Sequence, residues 1–409
     1  RIHQGVESAE AAVREMWEPP AFFEQLGVRY IGPLDGHDVE GLEAALRGAS
    51  EWDGPIVVHA LTQKGRGYAP AEQDEEKCLH DTGVFDPETG ALRGGGTPSY
   101  TAAFSDALLK IGEENPSVIA ITAAMPGSTG LLPFEARFPE RFLDVGIAEQ
   151  HAVTAAAGMA MIGLRPVVAI YSPFLTRAFD QTVYDVAMHE QPVVYAVDRA
   201  GITGDDGASA QGMLDMALLT KVPGMTVFAP SSAQEIDVML REALSITTGP
   251  SAVRFARGAA RHVDPSAVGS GLKARLVREG SSSDVCILAV GKMLAAAEEA
   301  GESLDATVWD VRVVKPLDVE MLRSAARHRL VVTIEDGIRV GGVGMQIMDA
   351  LADLEESRVS PPVVVLGLPS AFIPTGNPAQ LLSSLGLDAA GIVAAAEKAL
   401  HAASRHTTL

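Results

Sequence analysis

Residues 144–153 read DVGIAEQHAV, and the chain runs on as TAAAGMAMIG to Gly163. Asp144, Val145 and Gly146 close an apolar strand, and Glu149 and His151 open an alanine-rich helix. A strand handing over to a helix this apolar is the junction of an α/β sheet covered on both faces. Glu149 is out of place there. At the first turn its carboxylate meets the positive end of the helix dipole. One reading is a cap on backbone N–H groups. The other is a carboxylate aimed at the carboxyl end of a parallel sheet, where ligands of such sheets bind. A desolvated carboxylate in that place suits proton transfer to a heterocycle.

The same alternation extends outward. SVIAITAA, RFLDVG, RPVVAIYS, QPVVYAVDRAG and MTVFAP read as strands between about residues 98 and 263. IAEQHAVTAAAGMAMIG, FLTRAFDQTVYDVAMHE and AQEIDVMLREAL read as helices. Ser232 and Glu235 form a capping box, and Gly163 and Gly249 read as helix stops. From about residue 284 the pattern resumes, with CILAVG, TVWDVRVV, LVVTIED and PVVVLGL as strands. MLAAAEEAGESL, VEMLRSAARHR, GMQIMDALADL and GIVAAAEKALHAA are the helices between and after them. The expectation is two doubly wound, mostly parallel α/β units, 98–263 and 264–409. Residues 1–97 read as the tail of a third. There AEAAVREMW is a helix stopped by Pro19-Pro20, VEGLEAALRGA a second helix and PIVVHALT a strand. A long Gly/Pro-rich connection follows.

Composition agrees with this class. Of 409 residues 47% are hydrophobic and only 5% aromatic, with 40 glycines for close helix-on-sheet packing. A formal charge of −21 opposes nonspecific binding to nucleic acid or anionic lipid, so an arginine that binds an anion must be placed locally. Cys78 and Cys286 form no CxxC pair and read as reduced thiols of a cytoplasmic protein. No signal peptide and no apolar run near the roughly 18 residues of a membrane span is read. The chain opens on Arg1, which reads as a fragment or a processed chain.

Other positions carry chemistry. In YSPFLTRAFDQ, 171–181, Phe174 shares a strand-end loop with Tyr171, Ser172 and Arg177. That mixture suits stacking on a flat ring beside anion binding, although a lone Phe is usually core. In DRAGITGDDGASAQG, 198–212, Arg199 ends a strand and is followed by a glycine-loosened loop, and SAVRFARG places Arg254 in another strand run. Arginines at strand ends in so acidic a chain suggest a phosphate or carboxylate pocket; the alternative is a rim arginine and a structural ion pair. His80 and His37 lie in loops, where a solvated ring is the plain reading. No His/Cys/Asp cluster has metal spacing, and GxSxG, Walker and HExxH patterns are absent from the sequence.

Taken together, YIGPLDGHD, TQKGRGYAPAE, DVGIAEQHAV, IYSPFLTRAFDQ, DRAGITG, SAVRFARG, VVKPLD and GLPSAFIPTG resemble the 1-deoxy-D-xylulose-5-phosphate synthase family of the thiamine-diphosphate-dependent transketolase superfamily. The resemblance runs from about residue 20 to the C-terminus. It implies a homodimeric transferase that decarboxylates pyruvate on thiamine diphosphate with Mg2+ and joins the two-carbon unit to D-glyceraldehyde 3-phosphate. The product would feed isoprenoid, thiamine and pyridoxal phosphate synthesis. By the same resemblance Glu149 bonds the aminopyrimidine, Phe174 stacks on it, and Ile147 and Lys64 lie near the cofactor. Tyr171, Ser172, Arg199, Asp206 and Arg254 surround the acceptor. Arg177 lies near the pyruvate carboxylate, and His80 reaches the reacting centre.

Three departures stand out. DGASAQG has Ala210 where the family carries a His, and Pro173 replaces a Thr. The GDG…N motif that holds diphosphate and metal is not in this chain, so an N-terminal domain, in the same or a separate chain, is expected to supply it. Two other readings follow: a related synthase with a different aldehyde acceptor, or a catalytically silent partner chain.

Overall fold

In a computed structural model, residues 19–74, 78–80, 82–91, 98–354 and 360–406 are described. The chain divides into two compact units, Arg1–Gly95 and Gly96–Leu409. The expected helix at AEAAVREMW lies outside the described residues.

In the first unit Pro19 and Pro20 open a short helix, Pro19–Gln25, rather than stopping one. The first turn has no partner for its N–H groups, so proline's missing N–H leaves no bond unmade. Strand β1 (Arg29–Asp35), which the sequence pattern did not reveal, pairs in parallel with β2 (Ile56–Leu61). Helix α1 (Val39–Ser50) crosses between them, its N-terminus capped by Asp38, which accepts from the Gly41 N–H at 3.1 Å.

The second unit holds two sheets. The larger is built from β3 (Val118–Thr122), β4 (Phe142–Asp144), β5 (Arg165–Tyr171), β6 (Val194–Ala200), β7 (Thr226–Phe228) and β8 (Ser251–Ala256), all parallel. The smaller comprises β9 (Arg275–Arg278), β10 (Val285–Ala289), β11 (Thr307–Asp310), β13 (Leu330–Ile338) and β14 (Val363–Leu368), with only β9 antiparallel. Alternation along β5 shows how the larger sheet is covered. Val167 and Ala169 pack against helices α2 (Tyr100–Glu114) and α4 (Ala233–Ser245), through residues such as Phe104 and Leu240. Val168 and Ile170 face the alanines of α3 (Glu149–Met161). In the smaller sheet Ile287 and Ile334 pack against α5 (Leu294–Leu304) and α7 (Ala389–His406), whereas Cys286 and Leu288 turn to the other face. Both sheets are therefore covered on two sides, as the apolar strand runs require. Burial pushes the Cys286 thiol up to about 12, so it stays protonated, and both cysteines are free.

Several expectations are corrected. TVWDVRVV is not one strand. It breaks at Arg312, which has a positive φ of 55°. Its second half, β12 (Val313–Lys315), crosses to the larger sheet and pairs antiparallel with β7. The buried Arg312 guanidinium binds Glu235 at 2.8 Å and the Ser270, Gly271 and Lys273 carbonyls, so the turn is fixed from both sides. That bond also undoes half of the capping box: Ser232 accepts from the Glu235 N–H, but the Glu235 side chain goes to Arg312 and the Gly269 N–H. Gly163, at φ 90°, does stop the chain just past α3, while α4 ends at Ser245, capped by Ile246, and not at Gly249. FLTRAFDQTVYDVAMHE forms short helical pieces from Ser172 to Ala187 instead of one regular helix. Finally, the 25-residue stretch Pro378–Ala402 is long and apolar enough to cross a membrane, which the sequence reading missed. It folds as Pro378–Ser384 followed by α7, and α7 buries Ile392 and Ala396 in the core of the smaller sheet.

Candidate active site

The strand order of the larger sheet is β12-β7-β8-β6-β5-β3-β4. The chain moves from β3 outward to β4, then returns across β3 to β5. A crevice at the carboxyl ends opens where the order reverses, which is where open α/β sheets bind ligands. Glu149 follows β4, Tyr171 ends β5 with Ser172 to Arg177 just after it, and Arg199 lies near the end of β6. The sheet topology thus brings these residues to one rim.

Glu149 is the first residue of α3 and is 2% exposed. No side-chain cap closes this helix, so the capping reading is not what the backbone shows. Arg177, itself half-exposed, approaches Glu149 Oε2 to 3.0 Å as an ion pair. The approach lacks hydrogen-bond geometry, and among the described residues Oε2 is a buried oxygen without a hydrogen-bond partner. Such an oxygen is costly unless a ligand completes it. Phe174 is 37% exposed and stacks on Tyr171 with ring centroids 5.6 Å apart. The Arg199 guanidinium lies over the other ring of that pair, 4.2 Å from the Tyr171 centroid. Ser172 Oγ is buried without a hydrogen-bond partner, and Ile147 is largely exposed in the turn before α3.

Arg199 is held firmly. It has a positive φ of 59° at a register shift between β6 and β8. Its Nη1 donates to Asp198 Oδ2 at 2.8 Å and to the Ser128 carbonyl at 2.6 Å. Thr101 donates to the same Asp198 carboxylate at 2.7 Å. Asp206 meets Arg257 at 2.5 Å on the accessible side of the loop. Arg254 lies elsewhere: it sits inside β8, is 2% exposed, and binds Asp215 at 3.0 Å and Asp336 at 2.6 Å. His80 and Lys64 are exposed in turns of the first unit. Sequence reasoning missed Arg257. It is the first residue past the carboxyl end of β8, so the strand-end rule that selected Arg199 applies to it better than to Arg254.

The smaller sheet has its own carboxylate. Glu335 of β13 is 1% exposed and accepts from the Val343 and Gly344 N–H groups at the start of α6 (Val343–Ala352), at 3.1 and 2.8 Å. Burial pushes its pKa up to about 7 against the pull of those N–H groups. A carboxyl with a raised folded-state pKa binds its proton more tightly when folded. Its contribution to stability is therefore fullest at low pH and is lost as pH rises toward 7. Glu335→Gln should accordingly flatten this loss: its melting temperature relative to the parent should rise between pH 5 and pH 8. Parallel melting curves at both pH values would overturn the assignment.

The residues present fit one end of a thiamine cofactor, in an orphaned buried carboxylate oxygen and an accessible aromatic face. Among the described residues no group of three His, Cys, Asp or Glu side chains could hold a metal ion.

Comparison with known proteins agrees with the fold. Residues 96–262 match the transketolase pyrimidine-binding domain, residues 272–392 the transketolase C-terminal domain, and residues 1–62 the model of 1-deoxy-D-xylulose-5-phosphate synthase. A solved split gene transketolase, an inactive beta4 tetramer, is 32% identical with a TM-score of 0.66, covering 75% of this chain and 99% of that one. The chain belongs to the transketolase family. Within it the likeness is to 1-deoxy-D-xylulose-5-phosphate synthases. That of Mycobacteroides abscessus is 46% identical over 388 residues, covering 93% of this chain and 60% of the relative. That of Corynebacterium glutamicum strain R is 44% identical over 402 residues, covering 96% and 63%. The chain thus spans about three-fifths of the length of these relatives.

Proposed function

We propose that this chain is the larger part of a 1-deoxy-D-xylulose-5-phosphate synthase, with substrates pyruvate and D-glyceraldehyde 3-phosphate. The observation that carries the reading is the buried Glu149 Oε2 without a hydrogen-bond partner, on a rim shared with the accessible Phe174 ring. Thiamine diphosphate, when bound, supplies the carbon nucleophile that takes the two-carbon unit of pyruvate, with loss of carbon dioxide, and passes it to the aldehyde.

This chain's residues have distinct tasks in that reading. Glu149 holds the aminopyrimidine by a hydrogen bond at Oε2 and keeps a proton in place there; its dry surroundings strengthen the bond. Phe174 stacks on the flat heterocycle, with Ile147 as an apolar neighbour. Arg177 balances Glu149 and, being half-exposed, has N–H groups for the pyruvate carboxylate. Arg199 and Arg257, with Tyr171, Ser172 and Asp206, receive the phosphate and hydroxyls of the acceptor. Lys64 and His80 are assigned by resemblance. Arg254 acts by holding the loop from below rather than by touching substrate. Mg2+ and the diphosphate belong to an N-terminal domain, in the same or a separate chain. The working form is a cytoplasmic homodimer, with residues 98–263 and 264–409 as its pyrimidine-binding and C-terminal domains.

The test is a steady-state assay with pyruvate and a panel of aldehydes. Preference for glyceraldehyde 3-phosphate supports the reading, and preference for a non-phosphorylated aldehyde supports the alternative acceptor that Ala210 suggests. Arg199→Met should raise the KM for the aldehyde by about tenfold or more and leave the KM for pyruvate within about twofold, since a charge-assisted bond to phosphate is lost. Phe174→Ala should weaken thiamine-diphosphate binding about tenfold, the effect of losing roughly 1–1.5 kcal/mol of stacking, as read by calorimetry.

A further inference from the structure

The loop Gly201–Gly212, which follows Arg199 and carries Asp206, is built into the smaller sheet's domain. Its base is closed by two backbone hydrogen bonds, Gly201 N–H to Gly212 O at 2.7 Å and Gly212 N–H to Gly201 O at 2.8 Å. Just inside that base, Ile202 is 1% exposed and joins Met213 in the core formed by Ile287, Val332 and Ile334. Beneath it lies a cluster of four charges, three of them buried and Lys292 half-buried. Arg254 of β8 binds Asp215 and Asp336. Lys292, in the turn after β10, places Nζ 3.4 Å from Asp336 Oδ2 and donates to the Ile202 carbonyl at 3.3 Å. The loop backbone rests directly on this carboxylate: a Cβ on Gly201 would lie 2.1 Å from Asp336 Oδ2. The position is informative. In the smaller sheet β10 lies between β13 and β11, and the chain reverses there. The carboxyl ends of β10 and β13 are where such a sheet would bind a ligand of its own. Here the crevice is filled by an arginine and a loop from the neighbouring domain.

We propose that Lys292 and Asp336 are positioning residues for the acceptor loop: they hold its backbone at Ile202 and Gly201, and through it set where Arg199 and Asp206 meet the aldehyde. The charges support the arrangement. Burial pushes Asp215 up, whereas Asp336, against the same desolvation, is held below the usual carboxylate range by Arg254 and Lys292 together. Asp336 is therefore ionised and needs Lys292. Removing that cation leaves an underpaired buried carboxylate and an unmatched carbonyl at the loop's base.

The proposal rests on the reading that this loop receives the acceptor, so its test has a readout that does not depend on that reading. In the thiamine-diphosphate holoenzyme, Lys292→Met should raise amide hydrogen exchange in residues 200–213 by about tenfold or more, as local opening becomes easier. It should also raise the KM for glyceraldehyde 3-phosphate about tenfold while the KM for pyruvate stays within about twofold. Lys292→Arg, which keeps the cation, should restore both. Unchanged exchange in the loop overturns the proposal. So does faster exchange with an unchanged aldehyde KM, or with both KM values rising together as in a merely weakened fold. Arg199→Met serves as the control: if it too leaves the aldehyde KM unchanged, the acceptor reading itself has failed.

Discussion

Glu149→Gln should lower kcat by about a thousandfold while leaving the fold intact. General acid–base catalysis by one positioned group contributes about 10²- to 10⁴-fold, and here the group is the buried carboxylate that would face the aminopyrimidine. Gln keeps the shape and one carbonyl oxygen but loses the charge that holds a proton there. Cofactor affinity should fall far less than turnover, because stacking on Phe174 remains. The stability side separates this from damage to the fold. The carboxylate is 3% exposed at its side chain and its Oε2 has no hydrogen-bond partner. Removing such a charge should leave the melting temperature unchanged or raise it, since a site of this kind costs stability in exchange for function. A tenfold or smaller loss of kcat would show that Glu149 does no proton work.

The second large effect is on stability. Arg254→Met should destabilise the second unit by about 3–5 kcal/mol, the usual result of removing one partner from a buried ion pair. Arg254 is 2% exposed between two carboxylates whose side chains are fully buried. Without it, among the described residues, Asp215 has no cation within salt-bridge distance and Asp336 retains only Lys292. Adding Asp215→Asn should return part of the loss, because it removes the uncompensated charge, and a double-mutant cycle reads that coupling directly. A loss under about 1 kcal/mol in urea titration, with no coupling to Asp215, would mean that the cluster is not holding the two sheets together.

What was legible in the sequence follows from how local each signal is. The strand-to-helix junction at DVGIAEQHAV, the apolar strands and the strand-end positions of Glu149, Phe174 and Arg199 come from periodicity and from the carboxyl-end rule. These need only neighbours in sequence. The ion cluster was not legible, because Asp336 lies 82 residues from Arg254 and nothing in either stretch names its partner. Arg254 and Arg257 are three residues apart in SAVRFARG, and only the observed end of β8 at Ala256 separates the buried one from the accessible one. TVWDVRVV has continuous strand propensity; its break depends on Arg312 reaching Glu235 and three carbonyls contributed by a distant turn. Strand β9 was hidden for a similar reason, since RLVR is a short antiparallel edge with charged ends. The Pro378–Ala402 stretch passed unnoticed because it is not one unbroken apolar run: serines, Gly386 and Asp388 interrupt it where its two helices, Pro378–Ser384 and α7, meet.

The decisive experiment incubates the protein, supplied with its diphosphate-binding part, with pyruvate labelled at the carboxyl carbon, glyceraldehyde 3-phosphate, thiamine diphosphate and Mg2+, and follows both products by NMR. Labelled carbon dioxide and unlabelled 1-deoxy-D-xylulose 5-phosphate, the latter read from its own proton signals, are expected in equal amounts, formed only when both substrates and the cofactor are present and nearly abolished by Glu149→Gln. Pyruvate left unconsumed by a folded, cofactor-loaded protein, or turnover that Glu149→Gln does not change, would contradict it.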